Sequence, residues 1–464
     1  MTTVAKHEID LTTGSILKKL VRFAIPIILM NMLQMLFNAT DIAILGVLVG
    51  DMEVGAVGAT TSLIHLIVNL FVGFSVGTNV VLAKCVGKQD SDKATRVVGT
   101  SVLMSVIIGV ILSFVGFFGA KTFLTWMNCD AILLDKATLY LKIYFLGMPI
   151  IMFYNFMASI MRAVGDTFRP MIFLLIAGFA NVGLNVFFIL VFDMSVDGVA
   201  IATVASNAIS AVLALIVALK SNGYGKLRLK FLKIHKKEFL DILKIGLPSG
   251  LQSSMFSISN VIISTTINSY GALATTGNAV STQFDQFIAQ VGASMALACM
   301  SFVSQNRGAG KIDRIKKVIV LSIVVSTILN IFVGGFALIF SDSLCRIMSS
   351  DAEVLWYAKR RLFVLGATFW IGGAMDILCY SLRALGRSVT AMVISLCFAC
   401  VFRILWLNTF YLLNPTFLMI FISYPISWVL NVIVAAWVLL LQLKKERIKI
   451  ESEKTKNCEQ VAKI

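Results

Sequence analysis

Apolar residues in this chain come in runs of about 20 or more, separated by short breaks that carry glycine, proline or charge. A helix rising 1.5 Å per residue needs about 20 such residues to cross the hydrocarbon core of a bilayer. On that measure we read twelve spans, over residues 20–49, 54–83, 97–120, 137–161, 168–192, 196–219, 242–269, 276–304, 318–340, 355–382, 388–412 and 416–441. Strands of a membrane barrel would alternate polar and apolar positions, and these runs do not, so a barrel is excluded. The pattern predicts an all-α integral membrane protein with twelve transmembrane helices.

The largest break, Lys220 to Lys244, is basic and contains Gly223 and Gly225. It divides the chain into an N-terminal six-helix lobe (1–219), a basic cytoplasmic linker (220–241), a C-terminal six-helix lobe (242–441) and a basic tail (442–464). The lobes match each other. Ala24-Ile25-Pro26 parallels Gly246-Leu247-Pro248, and Asn38 parallels Asn260, both at an offset of 222. Gly87, Asp92, Arg96 and Val97 parallel Gly308, Asp313, Lys317 and Val318 at an offset of 221. Met161-Arg162-Ala163-Val164-Gly165-Asp166 parallels Leu382-Arg383-Ala384-Leu385-Gly386-Arg387 at the same offset. Apolar helices alone would not hold loop residues in register at three places. An even number of spans per copy makes the two repeats parallel, an arrangement that in transporters surrounds a substrate path.

Composition agrees with the bilayer: 464 residues, 58% hydrophobic, 14% charged, mean hydropathy +0.90. The net charge of +16 would suit nucleic acid if it were clustered. Instead 32 basic residues fall on the side of the N-terminus and 7 on the other, with Arg403 inside a span. By the positive-inside rule this places both termini in the cytoplasm, and a nucleic-acid site is not expected. The polar start followed by a full-length span predicts no cleaved leader. Eight cysteines fall mostly in or near spans and read as small packing residues, with Cys397 and Cys400 expected on one side of their helix.

Ionisable groups within spans cost about 2.5–3.5 kcal/mol each on insertion scales, so they are candidates for function. Away from the span ends they are Asp41, His65, Asp285, Asp376 and Arg403. In helix 1, Asn31, Gln34, Asn38 and Asp41 are spaced by three, four and three residues, which places them within one quarter of the helix surface. Such a stripe faces water or a polar helix; the alternative is interhelical hydrogen bonding that only holds helices together. Counted along alternating helix directions, Asp41 shares the outer half of the membrane with Asn181, Asn185, Thr203 and Asn207. One carboxylate with several neutral oxygens suits a proton or a small hard cation such as Na⁺. Asp285 and Asp376 have no base close in sequence and could attract a cationic substrate, unless one of them pairs with Arg403. We expect Arg403 to pair with an acid or with backbone carbonyls, and His65 to be a hydrogen-bonded interior histidine. Pro26 lacks the donor that would bond the carbonyl of Arg22, so helix 1 can bend there and Pro26 is a candidate hinge.

Over residues 15–440 the chain resembles the multidrug and toxic compound extrusion (MATE) family of secondary transporters. The stretches that carry the resemblance are Pro26 with Asp41, Gly77 to Gly87, Arg162 to Thr167 with Pro170, Asn181 to Ile189, and Gly198 to Thr203. Gln305-Asn306 with Gly308 to Gly310, and Arg383 to Ser388 with Arg403 to Trp406, continue it through the second copy. The resemblance implies a V-shaped pair of six-helix lobes in the bacterial cytoplasmic membrane. It implies exchange of an inward Na⁺ or H⁺ for an outward organic cation, with no cofactor beyond the coupling ion. It also implies a cation site in the first lobe, to which Asp41, Asn181 and Thr203 correspond; Asn185 stands where relatives carry a second acid. Asp285 and Asp376 stand near functional acids of the second lobe in some relatives. A lipid-linked sugar flippase of the same superfamily is the alternative, but such proteins place cations in the cavity. An enzyme is not expected, since no metal-ligand spacing or reactive dyad occurs. The expected partners are small organic cations and the lipid bilayer, and the expected state is a monomer.

Overall fold

The computed structural model describes residues 8–461; residues 1–7 of the predicted first lobe and 462–464 of the predicted tail lie outside the described residues. The described residues form helices and no strand. In lipid every backbone N–H and C=O must find a partner within the protein, and an α-helix supplies those partners from its own turns. The first seven helices are α1 (Ile16–Leu48), α2 (Asp51–Lys88), α3 (Ser91–Trp126), α4 (Ala131–Leu146), α5 (Met148–Ala163), α6 (Phe168–Phe192) and α7 (Val196–Lys220). They are followed by α8 (Lys236–Asn268), α9 (Ala272–Gly308), α10 (Ile312–Ile339), the short α11 (Ser341–Arg346) and α12 (Ala352–Ala384). A broken span comprises α13 (Ser388–Ser395), a π-helical segment Leu396–Val401, α14 (Phe402–Asn408) and α15 (Phe410–Leu413); α16 (Phe417–Val461) ends the described chain.

Among the described residues, ten helices are long and apolar enough to cross a membrane, and α4 with α5, bent by 50°, makes an eleventh. The predicted span at 242–269 is helical within α8, but Ser249, Gln252, Ser253, Ser254, Ser257, Ser259 and Asn260 make it more polar than the others. The bend between α4 and α5 falls at Gly147 and Pro149. Helix α3 fits into it, because Gly109 and Gly116 have no side chains to collide with Pro149 and Phe145.

The chain forms two compact units whose edges differ from the predicted linker. Arg22–Ser254, with the described part of Met1–Asp10, forms the first; Leu11–Val21 and Met255–Ile464 form the second. The basic linker packs into the first unit: Thr100 Oγ1 donates to the carbonyl of Lys233, and Arg96 and Lys93 pair with Glu238 and Asp241, each at 2.9 Å. The first half of α8 lies against α2 at glycines, where a Cβ on Gly73 would come 2.3 Å from the backbone nitrogen of Gly250. The core of the first unit is built around Leu45, Phe145, Met148 and Val199. In the second unit α9, α10 and α12 approach at Gly292, Gly373, Gly334 and Gly366, beside a core of Val280, Ile288, Leu355 and Leu362. Small residues serve this purpose because lipid offers no hydrophobic drive to bring helices together, so close backbone approach supplies the attraction.

The internal repeat extends to individual backbone angles. Gly165 and Gly386 both end a helix in the left-handed region, at φ +96° and +72°. Each is followed by the same closure: Asp166 N–H donates to the carbonyl of Met161, and Arg387 N–H to that of Leu382, both at 2.9 Å. This six-residue return satisfies carbonyls that a helix end leaves open. Gln89 and Gly310, 221 residues apart, occupy the equivalent position after α2 and α9, at φ +59° and +69°. Gly50 and Gly271, again 221 apart, start those two helices with positive φ. Replacing Gly165 or Gly386 by alanine should cost about 1–2 kcal/mol for the backbone angle. Gly165→Ala should cost more, because its Cβ would meet the carbonyl oxygen of Ile9 at 2.2 Å, whereas at Gly386 it meets the movable end of Arg307 at 3.0 Å. Thermal unfolding of the two purified variants checks this; equal shifts would show that the Ile9 contact does not matter.

Candidate ion-coupling site

The polar stripe of α1 is brought to its neighbours by a single gap in the packing. Gly178 of α6 lacks a side chain, and the ring of Phe37 fills the space; a Cβ there would lie 1.8 Å from the ring. Phe37 also meets Phe179 edge-on, with centroids 6.1 Å apart. One turn beyond Phe37 on α1 is Asp41, and one and two turns beyond Gly178 on α6 are Asn181 and Asn185. Asn185 Nδ2 donates to Asp41 Oδ1 at 2.6 Å. Asn181 and Asn185 are 4% and 0% exposed, and the amide oxygen of each has no hydrogen-bond partner. A buried acceptor without a donor is costly and rare, so the site has spare acceptor capacity and a shortage of donors. A carboxylate beside two unpartnered carbonyl oxygens can hold a proton or a small hard cation.

The other predicted members are placed differently. Thr203 is half-buried on α7, where its hydroxyl donates to the carbonyl of Val199 at 2.9 Å; no bond joins it to the Asp41–Asn185 pair. Asn207 donates to the carbonyl of Thr203 at 2.8 Å. Asn31 is half-buried, while Gln34 and Asn38 are exposed on the first unit. Helix α1 runs unbroken through Pro26, so this structure has no break at the candidate hinge. Tyr140 of α4 lies close enough to interact electrostatically with Asp41, and its ring stacks on Tyr144 at 6.2 Å. Nothing in the sequence points to Tyr140, which carries no formal charge and shares no stripe with Asp41.

Several expectations for the remaining charged groups are corrected. Asp285 is not a free acid: Arg361 Nη2 lies 3.0 Å from its Oδ2, and both residues are buried. Arg361 also donates to the carbonyl and side-chain oxygens of Asn278 and to Thr282 Oγ1. Arg361 is one of the seven basic residues counted on the side opposite the N-terminus, and in α12 its side chain is buried. Asp376 has no hydrogen bond or ion pair among the described residues, and the base that acts on it electrostatically is Arg383. Arg403 has no carboxylate partner among the described residues; its Nε donates to Ser427 Oγ at 3.0 Å and its face lies on Tyr424. His65 is exposed on the first unit and takes part in no described hydrogen bond. Cys397 is exposed and Cys400 buried, because the π-helical turn between Leu396 and Val401 separates the faces that an α-helix would have aligned.

The MatE family model matches residues 26–187 and again 248–407, once on each copy of the repeat. The chain belongs to the MatE family. It is 26% identical over 394 residues to the probable multidrug resistance protein YoeA of Bacillus subtilis, covering 82% of this chain and 84% of that protein. It is 22% identical over 385 residues to the multidrug export protein MepA of Staphylococcus saprophyticus, covering 82% and 85%. The fold superposes with a TM-score of 0.88 on an outward-facing multidrug resistance MATE family transporter of the MOP superfamily, at 20% identity over 96% of this chain and 99% of that one. This MatE protein is thus a multi-pass membrane transporter and not an enzyme.

Three outcomes test the packing of the site and the pairing of the second unit's acids. Gly178→Ala should destabilise by about 1–3 kcal/mol through overpacking against Phe37, and Phe37→Ala in the same chain should recover part of that loss. Thermal melting of the single and double variants reads the coupling; simple addition of two losses would refute it. Asp285→Asn should lower stability by about 3–5 kcal/mol by leaving Arg361 buried without its counter-charge. Asp376→Asn should leave folding nearly unchanged, as judged by melting and monodispersity in detergent.

Proposed function

We propose that this protein is a cation-coupled antiporter that exports amphipathic organic cations by alternating access, with H⁺ or Na⁺ as the returning ion. The observation that supports this most directly is the contact between half-buried Asp41 and buried Asn185, beside the two unpartnered amide oxygens of Asn181 and Asn185. Such a site binds a cation or a proton without needing any further charged residue. Neutralising Asp41 by either ion removes the need to hold a carboxylate charge in a low-dielectric span, so occupancy can shift the balance between two conformations. Asp41 is the coupling residue in this reading, Asn181 and Asn185 are oxygen donors, and Thr203 joins them only when α7 moves or its hydroxyl turns. Asn185 in place of a second acid gives the site a single carboxylate, which fits one monovalent ion per cycle. Asp376 is the acid of the second unit left to attract a cationic substrate, since Asp285 is neutralised by Arg361. The YoeA and MepA relatives are named as multidrug resistance and multidrug export proteins, in keeping with this substrate class.

Inverted membrane vesicles carrying the protein, supplied from outside with a fluorescent cationic dye and given separate inside-high Na⁺ and H⁺ gradients, test the proposal. One of the two gradients should drive dye movement, and Asp41→Asn should lower the rate at least about 100-fold while leaving the protein folded. That magnitude corresponds to losing about 2.7 kcal/mol of coupling. If neither gradient moves dye, or if Asp41→Asn transports at the normal rate, the antiporter reading fails.

A further inference from the structure

Arg403 is 5% exposed and lies near the middle of the span Ser388–Leu413. A guanidinium has five N–H donors in one plane. Nε is used by Ser427 Oγ at 3.0 Å. Tyr424 covers one face, 3.9 Å from the guanidinium carbon to the ring centroid, and Trp428 stands 5.8 Å away. Ring faces attract the charge but accept nothing from the in-plane N–H groups. The two terminal nitrogens therefore have no acceptor among the described residues, and the groups that act on Arg403 electrostatically are Tyr424 and Cys400, neither of them a carboxylate.

This arrangement is built and not incidental. The π-helical segment Leu396–Val401 directly precedes α14. An inserted residue turns everything after it by about 100°, which re-aims Arg403, and such turns are retained mostly at functional sites. Behind the aromatic face, Trp428 lies beside Gly372 of α12 and packs on Phe369, with ring centroids 5.4 Å apart. The result is an aromatic wall with one unpaired cationic fork in it. Bidentate pairing with a carboxylate is what that fork is shaped for.

We propose that Arg403 is a binding point for the carboxylate of an aromatic substrate, so that the second unit accepts zwitterions as well as simple cations. The proposal rests on the export reading above and narrows its substrate class. A lipid phosphate is a poor fit, because headgroups lie about 15 Å from the midplane where Arg403 sits. The aromatic part of the substrate stacks near Tyr424 and Trp428, and its acid meets the terminal nitrogens end-on.

Two dyes of nearly the same shape separate a charge-specific site from a structural arginine. Rhodamine B carries a free carboxylate, and in rhodamine 6G that group is an ethyl ester. Binding of each to the full-length protein in nanodiscs is read by fluorescence anisotropy, with no ion gradient. Arg403→Gln should weaken rhodamine B about tenfold and rhodamine 6G less than twofold, and Arg403→Lys should fall between for rhodamine B only. A parallel loss for both dyes, no loss for either, or no binding of rhodamine B by the unaltered protein would overturn the proposal. Gradient-driven movement of rhodamine 6G, measured separately, tests the export reading; its failure leaves the binding result interpretable. Asp41→Asn should stop transport of both dyes without changing the ratio of their affinities.

Discussion

Close approach of backbone to backbone, made possible by glycine, is the constraint from which the rest of this structure follows. Within a bilayer, apolar side chains gain little by leaving lipid for one another, so helices associate through dense packing and a few hydrogen bonds. A Cβ added at Gly73, Gly250, Gly292 or Gly334 would lie within 3 Å of a neighbouring backbone atom, that of Gly373 in the case of Gly292 and of Gly366 in the case of Gly334. Gly178 is the same device turned to a functional purpose. By admitting the Phe37 ring it sets the height of α1 against α6, and that height brings Asp41 to Asn185. The buried carboxylate is thus positioned by a packing contact one turn away from it.

That positioning explains how a charged group persists in a span. A buried carboxylate needs donors, and here it receives one, from Asn185. A second acid at position 185 would have repelled it; an amide supplies both a donor toward Asp41 and a free carbonyl oxygen toward a guest. The second unit handles its acids otherwise. Asp285 is paired with Arg361, which is itself tied to Asn278 and Thr282, so its charge is already compensated within the protein. Asp376 and Arg403 are the charges left open in that unit, of opposite sign and each without a carboxylate–base pair of its own among the described residues.

The fold was readable from the sequence because its signals are local and repeated. Apolar runs of span length gave the helices, and loop glycines at a fixed offset gave the duplication, which the matching φ angles at Gly165 and Gly386 carry to the backbone. Asp41 and its amides were readable for a similar reason, since spacing of three and four residues defines a helix face. What could not be read was pairing across distant segments. Nothing local joins Asp285 to Arg361, and a count of charges by loop places Arg361 only on the side opposite the N-terminus. The π-helical turn was equally hidden, because residues 396–401 are ordinary apolar residues that carry no local signal for it. Tyr140 escaped notice because a neutral ring leaves no mark on a charge pattern.

Duplication makes these differences interpretable. Both copies inherited the same helix ends, yet Ile263, 2% exposed, occupies the position that Asp41 holds in the first. The shared features are those that close helices and let them approach, and they are fixed by backbone geometry that few residues satisfy. The divergent features are the charges, which backbone geometry does not constrain. A symmetric ancestor with the same acid in both copies would bind the same ion twice, and occupancy of one site would carry no information that the other lacked. With an oxygen-rich acid in one copy and, in the other, an arginine against aromatic rings and a separate acid, the proposed exchange has a distinct candidate site for each solute. Exchange of two unlike solutes requires that difference, because a ligand shifts a conformational equilibrium only through unequal affinity for its two states.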